Sequence, residues 1–139
     1  MIYGRLPSYD YSLLIRTDFS DNDAWDELCD SVQSPQYEGF RAMVEIIDDK
    51  AHSGLSLTEI LLLLPKEPMR SFVFVADRRA IADADHPILV AAVLDEPTQT
   101  FRVTARDGWS VENNLRLANS DFAEFVDNVD SDGIFRTQE

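Results

Sequence analysis

The hydrophobic pattern of the chain is organised around one unbroken apolar run, Phe72 to Ala76. Five consecutive apolar residues predict a strand covered on both faces, as is usual for a central strand of a parallel sheet. Other apolar runs predict strands at 12–17, 40–47, 88–94 and 101–105. Asp and Pro in the Asp95–Thr98 segment favour a turn, so the last two strands are predicted to pair as an antiparallel hairpin.

Helical patterns separate these strands. After residues 20–23, whose side chains can cap a helix start, apolar residues recur every three or four positions and form one stripe: Trp25, Leu28, Cys29 and Val32. Ser56 followed by Glu59 has the capping-box pattern and predicts a short second helix. A third helical pattern covers 109–129, with an interruption predicted at 119–121.

The order β-α-β-α-β-β-β-α predicts an α/β fold. We expect a three-layer sandwich with about five strands in a mostly parallel sheet, an antiparallel edge hairpin and helices on both faces. The length of 139 residues corresponds to one domain. No internal repeat or linker divides it, so residues 1–139 are predicted to form a single α/β domain, with 1–10 as a surface arm and 130–139 as a C-terminal tail.

The charge balance is strongly acidic: 26 acidic residues face 12 basic ones, for a formal net charge of -14. Such a surface repels nucleic-acid phosphates, so no nucleic-acid binding is expected, whereas a basic protein partner fits it. No apolar run reaches the roughly 20 residues of a membrane span, and no signal peptide is predicted. The single Cys29 cannot form an internal disulfide, which fits a cytoplasmic location.

Three predicted strands are followed by an acidic residue: Asp18, Asp48 and Asp77. Ligands of open α/β sheets bind outside the carboxyl ends of the strands, so these carboxylates would converge if the strands are parallel neighbours. Oxygen ligands of this kind suit Mg²⁺, which gives the alternative function of a metal-dependent enzyme. No glycine-rich phosphate loop accompanies them, and Asp is common in loops, so ordinary loop chemistry is the preferred interpretation.

The tail resembles an EF-hand calcium loop in its spacing. Asp130 and Asp132 alternate with other residues, Gly133 is sixth and Glu139 twelfth when Asn128 is counted as first. Asn128 replaces the usual first Asp, and Asp-Gly is also an ordinary turn, so a solvated turn is the preferred interpretation.

Nucleophilic and zinc chemistry have no signature in the chain. The histidines are His52 and His86, without a neighbouring nucleophile elbow, CxxC or HExxH motif. His86 precedes Pro87, which predicts an extended backbone there. No cofactor motif is present, so no cofactor is expected and an enzyme is not favoured.

The most distinctive stretch runs from Trp109 to Phe122. One interpretation is a partner-contact surface with Trp109 as its anchor and Glu112 and Asn113 beside it. The preferred interpretation is structural: Asn113 and Asn119 bond loop backbone and fix the start of the helix.

Several strings together resemble a known family: LLIRTDFSD, FVADR, HPILV, FRV and WSVENNLRLANSDFAEF. The family consists of small acidic bacterial proteins, largely actinobacterial, and is known only as a domain of unknown function. The resemblance covers roughly 13–136 and is most specific at 109–125. It implies a stand-alone bacterial domain without an assigned activity, so no catalytic residue is carried over.

These observations predict a non-enzymatic acidic protein-binding module, immunity- or antitoxin-like or regulatory. Charge complementarity speeds encounter with a basic protein partner and selects it. A homo-oligomer formed through an exposed sheet edge is a further alternative. The expected partner-binding residues are Trp109, Glu112, Asn113, Asp18 and Asp77.

Overall fold

The computed structural model describes residues 12–35, 39–64, 71–94 and 97–137. Within these ranges six strands form one sheet: β1 (Ser12–Arg16), β2 (Val44–Ile47), β3 (Phe72–Ala76), β4 (Pro87–Ala92), β5 (Thr100–Thr104) and β6 (Ile134–Phe135). The helices are α1 (Asn22–Gln33), α2 (Leu57–Leu63), α3 (Arg78–Ala82), α4 (Gly108–Arg116) and α5 (Phe122–Val126). The predicted arm 1–10 and residues 138–139 of the tail lie outside the described residues.

The strand order is β2-β1-β3-β4-β5-β6. The pairs β1–β2, β1–β3 and β5–β6 are parallel, whereas β3–β4 and β4–β5 are antiparallel. The predicted α/β class is confirmed, with its mostly parallel sheet and its antiparallel hairpin. The sequence analysis missed β6, which lies beyond the hairpin, because a strand of two residues carries no alternation to detect.

The sheet is covered on both faces by apolar cores. On one face, Leu14 and Phe74 pack with side chains from α1, α3, α4 and α5. On the other face, Ile15 and Val73 pack with Ile60 of α2. Alternate residues of β1 and β3 thus enter opposite cores, which explains why both strands are buried at every position and why β3 and the middle of β1 are apolar.

Local capping bonds fix the helix starts where the sequence predicts them. The Asp21 carboxylate accepts a hydrogen bond from the Ala24 amide at 3.0 Å. Ser56 and Glu59 form both bonds of the capping box. The predicted interruption of the last helix is confirmed, since α4 ends before Leu117 and α5 begins after Asp121.

Candidate functional site

The acidic positions that follow β1, β2 and β3 lie at one edge of the sheet. These strands are parallel neighbours, and Asp18, Asp48 and Asp77 each follow a carboxyl end within two residues. The predicted convergence of positions is therefore present. What the sequence analysis missed is that two arginines of the same chain, Arg16 and Arg102, bind these acidic residues.

Arg16 ends β1 and is only 3% exposed. Its Nη1 donates to the Asp48 carboxylate at 3.3 Å, its Nε to the backbone oxygen of Asp18 at 3.0 Å, and its Nη2 to Asn22 Oδ1 at 2.8 Å. The guanidinium therefore supplies positive charge at the place where the sequence suggested a metal ion, and the Asp48 carboxylate already has a cation to bind.

Aromatic rings enclose this buried guanidinium. Its central carbon lies 4.3 Å from the ring centroid of Phe19 and 5.0 Å from that of Trp25. Trp25 Nε1 also donates to Asp48 at 3.2 Å. Cation–π attraction and hydrogen bonding thus hold Arg16 in one position, as a buried charge requires.

Asp77 is bound in a bidentate pair with Arg102 of β5. Nη1 donates to Asp77 Oδ1 at 2.9 Å and Nη2 to Oδ2 at 2.7 Å, while Nη1 also donates to the Pro87 oxygen at 2.9 Å. Asp77 Oδ1 further caps α3 by accepting from the Ala80 amide at 3.2 Å. This carboxylate therefore joins β3, α3 and β5, a structural role that the sequence analysis did not identify.

Asp18 is held by its own loop. The amide of Ser20 donates to Asp18 Oδ1 at 3.0 Å, and the Ser20 hydroxyl donates to the same oxygen. Partial burial raises the pKa of Asp18, but the Ser20 hydrogen bonds and the charges of Arg78 and Arg16 outweigh it and keep the pKa below its usual value. Among the residues that the structure describes, no three His, Cys, Asp or Glu side chains are grouped to hold a metal ion.

The tail acids form a turn that leads into β6. Asp130 Oδ1 accepts from the amides of Asp132 at 2.9 Å and Ile134 at 3.0 Å, and Oδ2 accepts from Arg136 Nε at 3.1 Å. The Ile134 hydrogen bond, together with those from Arg136 and Asp132, outweighs desolvation and lowers the pKa of Asp130. Glu139, the twelfth position of the calcium-loop pattern, lies outside the described residues.

Glu112 is fully buried in α4, so the expectation that it contacts a partner is wrong. Oε2 accepts from the Ser12 hydroxyl at 2.8 Å and from Arg116 Nε at 2.7 Å, and Oε1 accepts from the Met43 amide at 2.8 Å and the Asn113 side chain at 3.0 Å. The carboxylate fixes α4 to the starts of β1 and β2. Its burial follows from its position next to Val111, which faces the core.

Trp109 and Asn113 lie one turn apart on α4 and are both partly exposed. Phe40, which is 51% exposed, stacks on Trp109 with ring centroids 5.9 Å apart. Asn113 Nδ2 donates to the Arg41 backbone oxygen at 3.0 Å, so this amide bonds loop backbone as predicted, although it does so from the middle of α4 and not at the start of the helix. We call Phe40 and Trp109 the aromatic pair.

The outer side of α1 carries four exposed carboxylates, which we call the acidic face: Asp23, Asp26, Glu27 and Asp30. Their spacing places them opposite the buried stripe of Trp25, Leu28 and Val32. The carboxylates of Asp23, Asp26 and Asp30 form no hydrogen bond or ion pair with any residue that the structure describes. The sequence analysis recorded the net charge but did not assign it to this helix.

A cleft of about 520 Å³ lies beside α1 and was not predicted. We call it the His86 cleft, and its lining is Glu27, Ser31, Ala84, Asp85, His86, Thr104, Ala105, Arg106, Asp107, Arg136 and Thr137. His86 has a φ of +49°, so the predicted extended backbone before Pro87 is wrong. Its ring holds the backbone in this left-handed conformation: Nδ1 donates to the Ala80 oxygen at 2.9 Å and Nε2 lies 2.6 Å from Glu27 Oε2.

Comparison with known proteins connects the chain to one family. A family model with the description "Domain of unknown function (DUF6924)" matches residues 11–138. No curated protein matches the chain. Within the described residues, no helix is long and apolar enough to cross a membrane. Because the match spans nearly the whole sequence, the resemblance to a domain of unknown function is confirmed, and the chain belongs to this family.

Proposed function

We propose that the protein is a non-enzymatic module that binds a basic protein partner through the acidic face of α1. The observation that carries this proposal is the row of exposed carboxylates at Asp23, Asp26 and Asp30, which no described residue neutralises. Elsewhere in the described residues, Asp48, Asp77 and Glu112 are each paired with an arginine. Asp23, Asp26 and Asp30 are thus charged surface that the fold itself does not use.

The sequence around α1 strengthens this negative field. No Lys or Arg occurs between Thr17 and Phe40. Like charges three or four residues apart destabilise a helix by about 0.2–0.5 kcal/mol for each pair. A partner that places Lys or Arg against this helix would relieve the repulsion and would be drawn to it by the field.

The aromatic pair provides apolar contact area close to the end of the acidic face. Gln33, the last residue of α1, lines a cavity of about 280 Å³ together with residues 41–44. Phe40 directly precedes this segment and stacks on Trp109. Exposed aromatic residues are the usual anchors of protein interfaces, so charge would attract the partner and the aromatic pair would hold it.

An immunity- or antitoxin-like role and a regulatory role both fit such a module. In the first, the partner is a basic toxin, and in the second it is a basic protein of the same cell. Charge complementarity supports both equally, so partner identity decides between them. The alternative of a magnesium-dependent enzyme at Asp18, Asp48 and Asp77 gains no support from the geometry, because Arg16 and Arg102 lie among these residues.

The test is partner capture with charge variants of the full chain. Tagged wild type is incubated at low salt with extract of the source cells, together with a triple variant of the acidic face: Asp23→Asn, Asp26→Asn and Asp30→Asn. The matched control removes the same three charges from exposed positions in and around α5: Asp121→Asn, Glu124→Gln and Asp127→Asn. We expect a basic protein that wild type and control retain, that the α1 variant loses, and that salt releases.

The affinity of the purified partner for each variant is then measured at low and high salt. Neutralising three interface charges should weaken binding by at least about tenfold at low salt, and raising the salt concentration should shrink the difference. Trp109→Ala should weaken binding at high salt as well, because its contribution is apolar. If the α1 and α5 variants lose the same proteins to the same extent, the capture reflects net charge alone and the proposal fails.

A further inference from the structure

The His86 cleft has the size of a ligand site. Its volume of about 520 Å³ lies within the range of ligand pockets, roughly 300–1,000 Å³. Its walls come from four parts of the chain: α1, residues 84–86 before β4, residues 104–107 at the end of β5 and just after it, and Arg136 and Thr137 after β6.

The inner residues of the cleft are fixed by hydrogen bonds. Asp107 is buried, and its two oxygens accept from the Thr137 hydroxyl at 2.8 Å and the Thr137 amide at 3.1 Å. His86 is buried and bonded through both ring nitrogens to Ala80 and Glu27. A preorganised lining lowers the entropic cost of binding, because few side chains need to be ordered.

Two carboxylates of the cleft lining are mostly exposed to solvent. The Glu27 side chain is 68% exposed and the Asp85 side chain is 61% exposed. Glu27 Oε2 is bonded to His86 and Asp85 Oδ2 lies 3.3 Å from Arg136 Nη1. Among the described residues, the second oxygen of each carboxylate accepts no hydrogen bond.

The charges favour a cation over an anion. Two arginines line the cleft, and both already interact within the chain: Arg136 is bonded to the carboxylates of Asp85 and Asp130, and Arg106 is likewise not without a partner. The His86 ring is bonded to Glu27. Glu27 also belongs to the acidic face, and the whole chain carries a net charge of -14. The negative field would repel an anion, whereas a cation could bind the second carboxylate oxygens of Glu27 and Asp85, which accept no hydrogen bond from a described residue.

We propose that the His86 cleft receives one guanidinium- or ammonium-bearing side chain of the basic partner, held between Glu27 and Asp85. This inference rests on the proposed function and names the part of the acidic face that recognises an individual residue. A guanidinium is planar and presents several donors, so it can bond both carboxylates at once.

The probe is N-acetyl-L-argininamide, titrated into the full chain and followed by amide chemical shifts. N-acetyl-L-citrullinamide, its uncharged isostere, is the ligand control. We expect saturable shifts at Ala105, Arg106 and Thr137 with the arginine compound and none with the citrulline compound. Glu27→Gln removes one charge-assisted contact, so it should weaken binding by about tenfold.

Glu124→Gln is the matched control variant, because Glu124 is an exposed glutamate that neither lines the cleft nor belongs to the acidic face. It should change the affinity by less than about twofold if the effect is local. Equal losses in Glu27→Gln and Glu124→Gln, or no saturable shift at the cleft, would overturn the inference. If the cleft fails this test while the captured partner still binds wild type and not the α1 triple variant, the proposed function stands without the cleft. If the capture experiment also fails, the cleft inference and the proposed function are both wrong.

Discussion

Glu112 Oε2 accepts a 2.8 Å hydrogen bond from the hydroxyl of Ser12, a residue 100 positions earlier in the chain. Both residues are buried, and Oε1 of the same carboxylate accepts from the Met43 amide. One side chain of α4 therefore fixes the starts of two neighbouring parallel strands. A buried carboxylate of this kind is stabilised by its donors and is costly to remove.

Glu112→Ala should lower the free energy of unfolding by about 3 kcal/mol or more, because it leaves buried donors of Ser12 and Met43 without an acceptor. Urea denaturation followed by circular dichroism measures this. Glu124→Ala, at an exposed position of α5, is the control and should change stability by less than about 0.5 kcal/mol. A loss below about 1 kcal/mol for Glu112→Ala would show that water replaces the carboxylate.

Asp77→Asn should destabilise the fold by about 2 kcal/mol, since it breaks the bidentate pair with Arg102. A double-mutant cycle with Arg102→Met isolates the pair, and the two changes should be clearly non-additive. The magnesium-site hypothesis predicts the reverse: intact stability for Asp77→Asn and loss of a divalent-ion effect. Denaturation with and without magnesium distinguishes the two.

The tail turn should open as the pH falls below the usual range of an aspartate. The pKa of Asp130 lies below the ordinary value of 3.8, chiefly because the Ile134 amide donates to its charged form. A carboxyl group with a lowered folded pKa stabilises the fold above its unfolded pKa, and this stabilisation is lost as the pH falls through the folded value. The amide shifts of Asp132 and Ile134 should therefore titrate together with a midpoint below 3.8. A midpoint at or above that value contradicts the hydrogen-bonded turn.

Cys29 should be unreactive in the folded protein. Partial burial and the nearby charges of Asp48, Asp26 and Asp30 raise the pKa of its thiol to about 12. Because the thiolate is the reactive form, modification by a disulfide reagent near pH 8 should be slower than for a free cysteine by more than about a hundredfold. Denaturant should restore the rate of a free thiol. Rapid modification without denaturant would show that the side chain is accessible and ionised.

The helix starts and the central strand could be predicted because the sequence patterns that indicate them span only a few residues. Asp21 caps α1 and Ser56 pairs with Glu59 through contacts three residues apart, which is the range a sequence pattern covers. The apolar run of β3 likewise predicted burial on both faces. For β2, the predicted start at residue 40 was too early, because the strand begins at Val44.

Only part of the candidate site could be predicted from the sequence. The sequence placed Asp18, Asp48 and Asp77 at one edge of the sheet, since parallel strands end together. It did not show that Arg16 and Arg102 bind these acidic residues, because no local pattern joins residues 25 or more positions apart. The backbone of His86 was predicted as extended from the following Pro87, but ring hydrogen bonds to Ala80 and Glu27 overcome that local preference.

The sequence by itself determined the α/β class, the main strands, the helix caps and the excess of negative charge. These depend on hydrophobic period, on short-range hydrogen bonds and on composition. Only the tertiary structure decided which acids are neutralised inside the fold and which remain on the acidic face of α1. Ion pairs and burial depend on distances between residues far apart in the chain, and those distances exist only once the sheet and helices have packed.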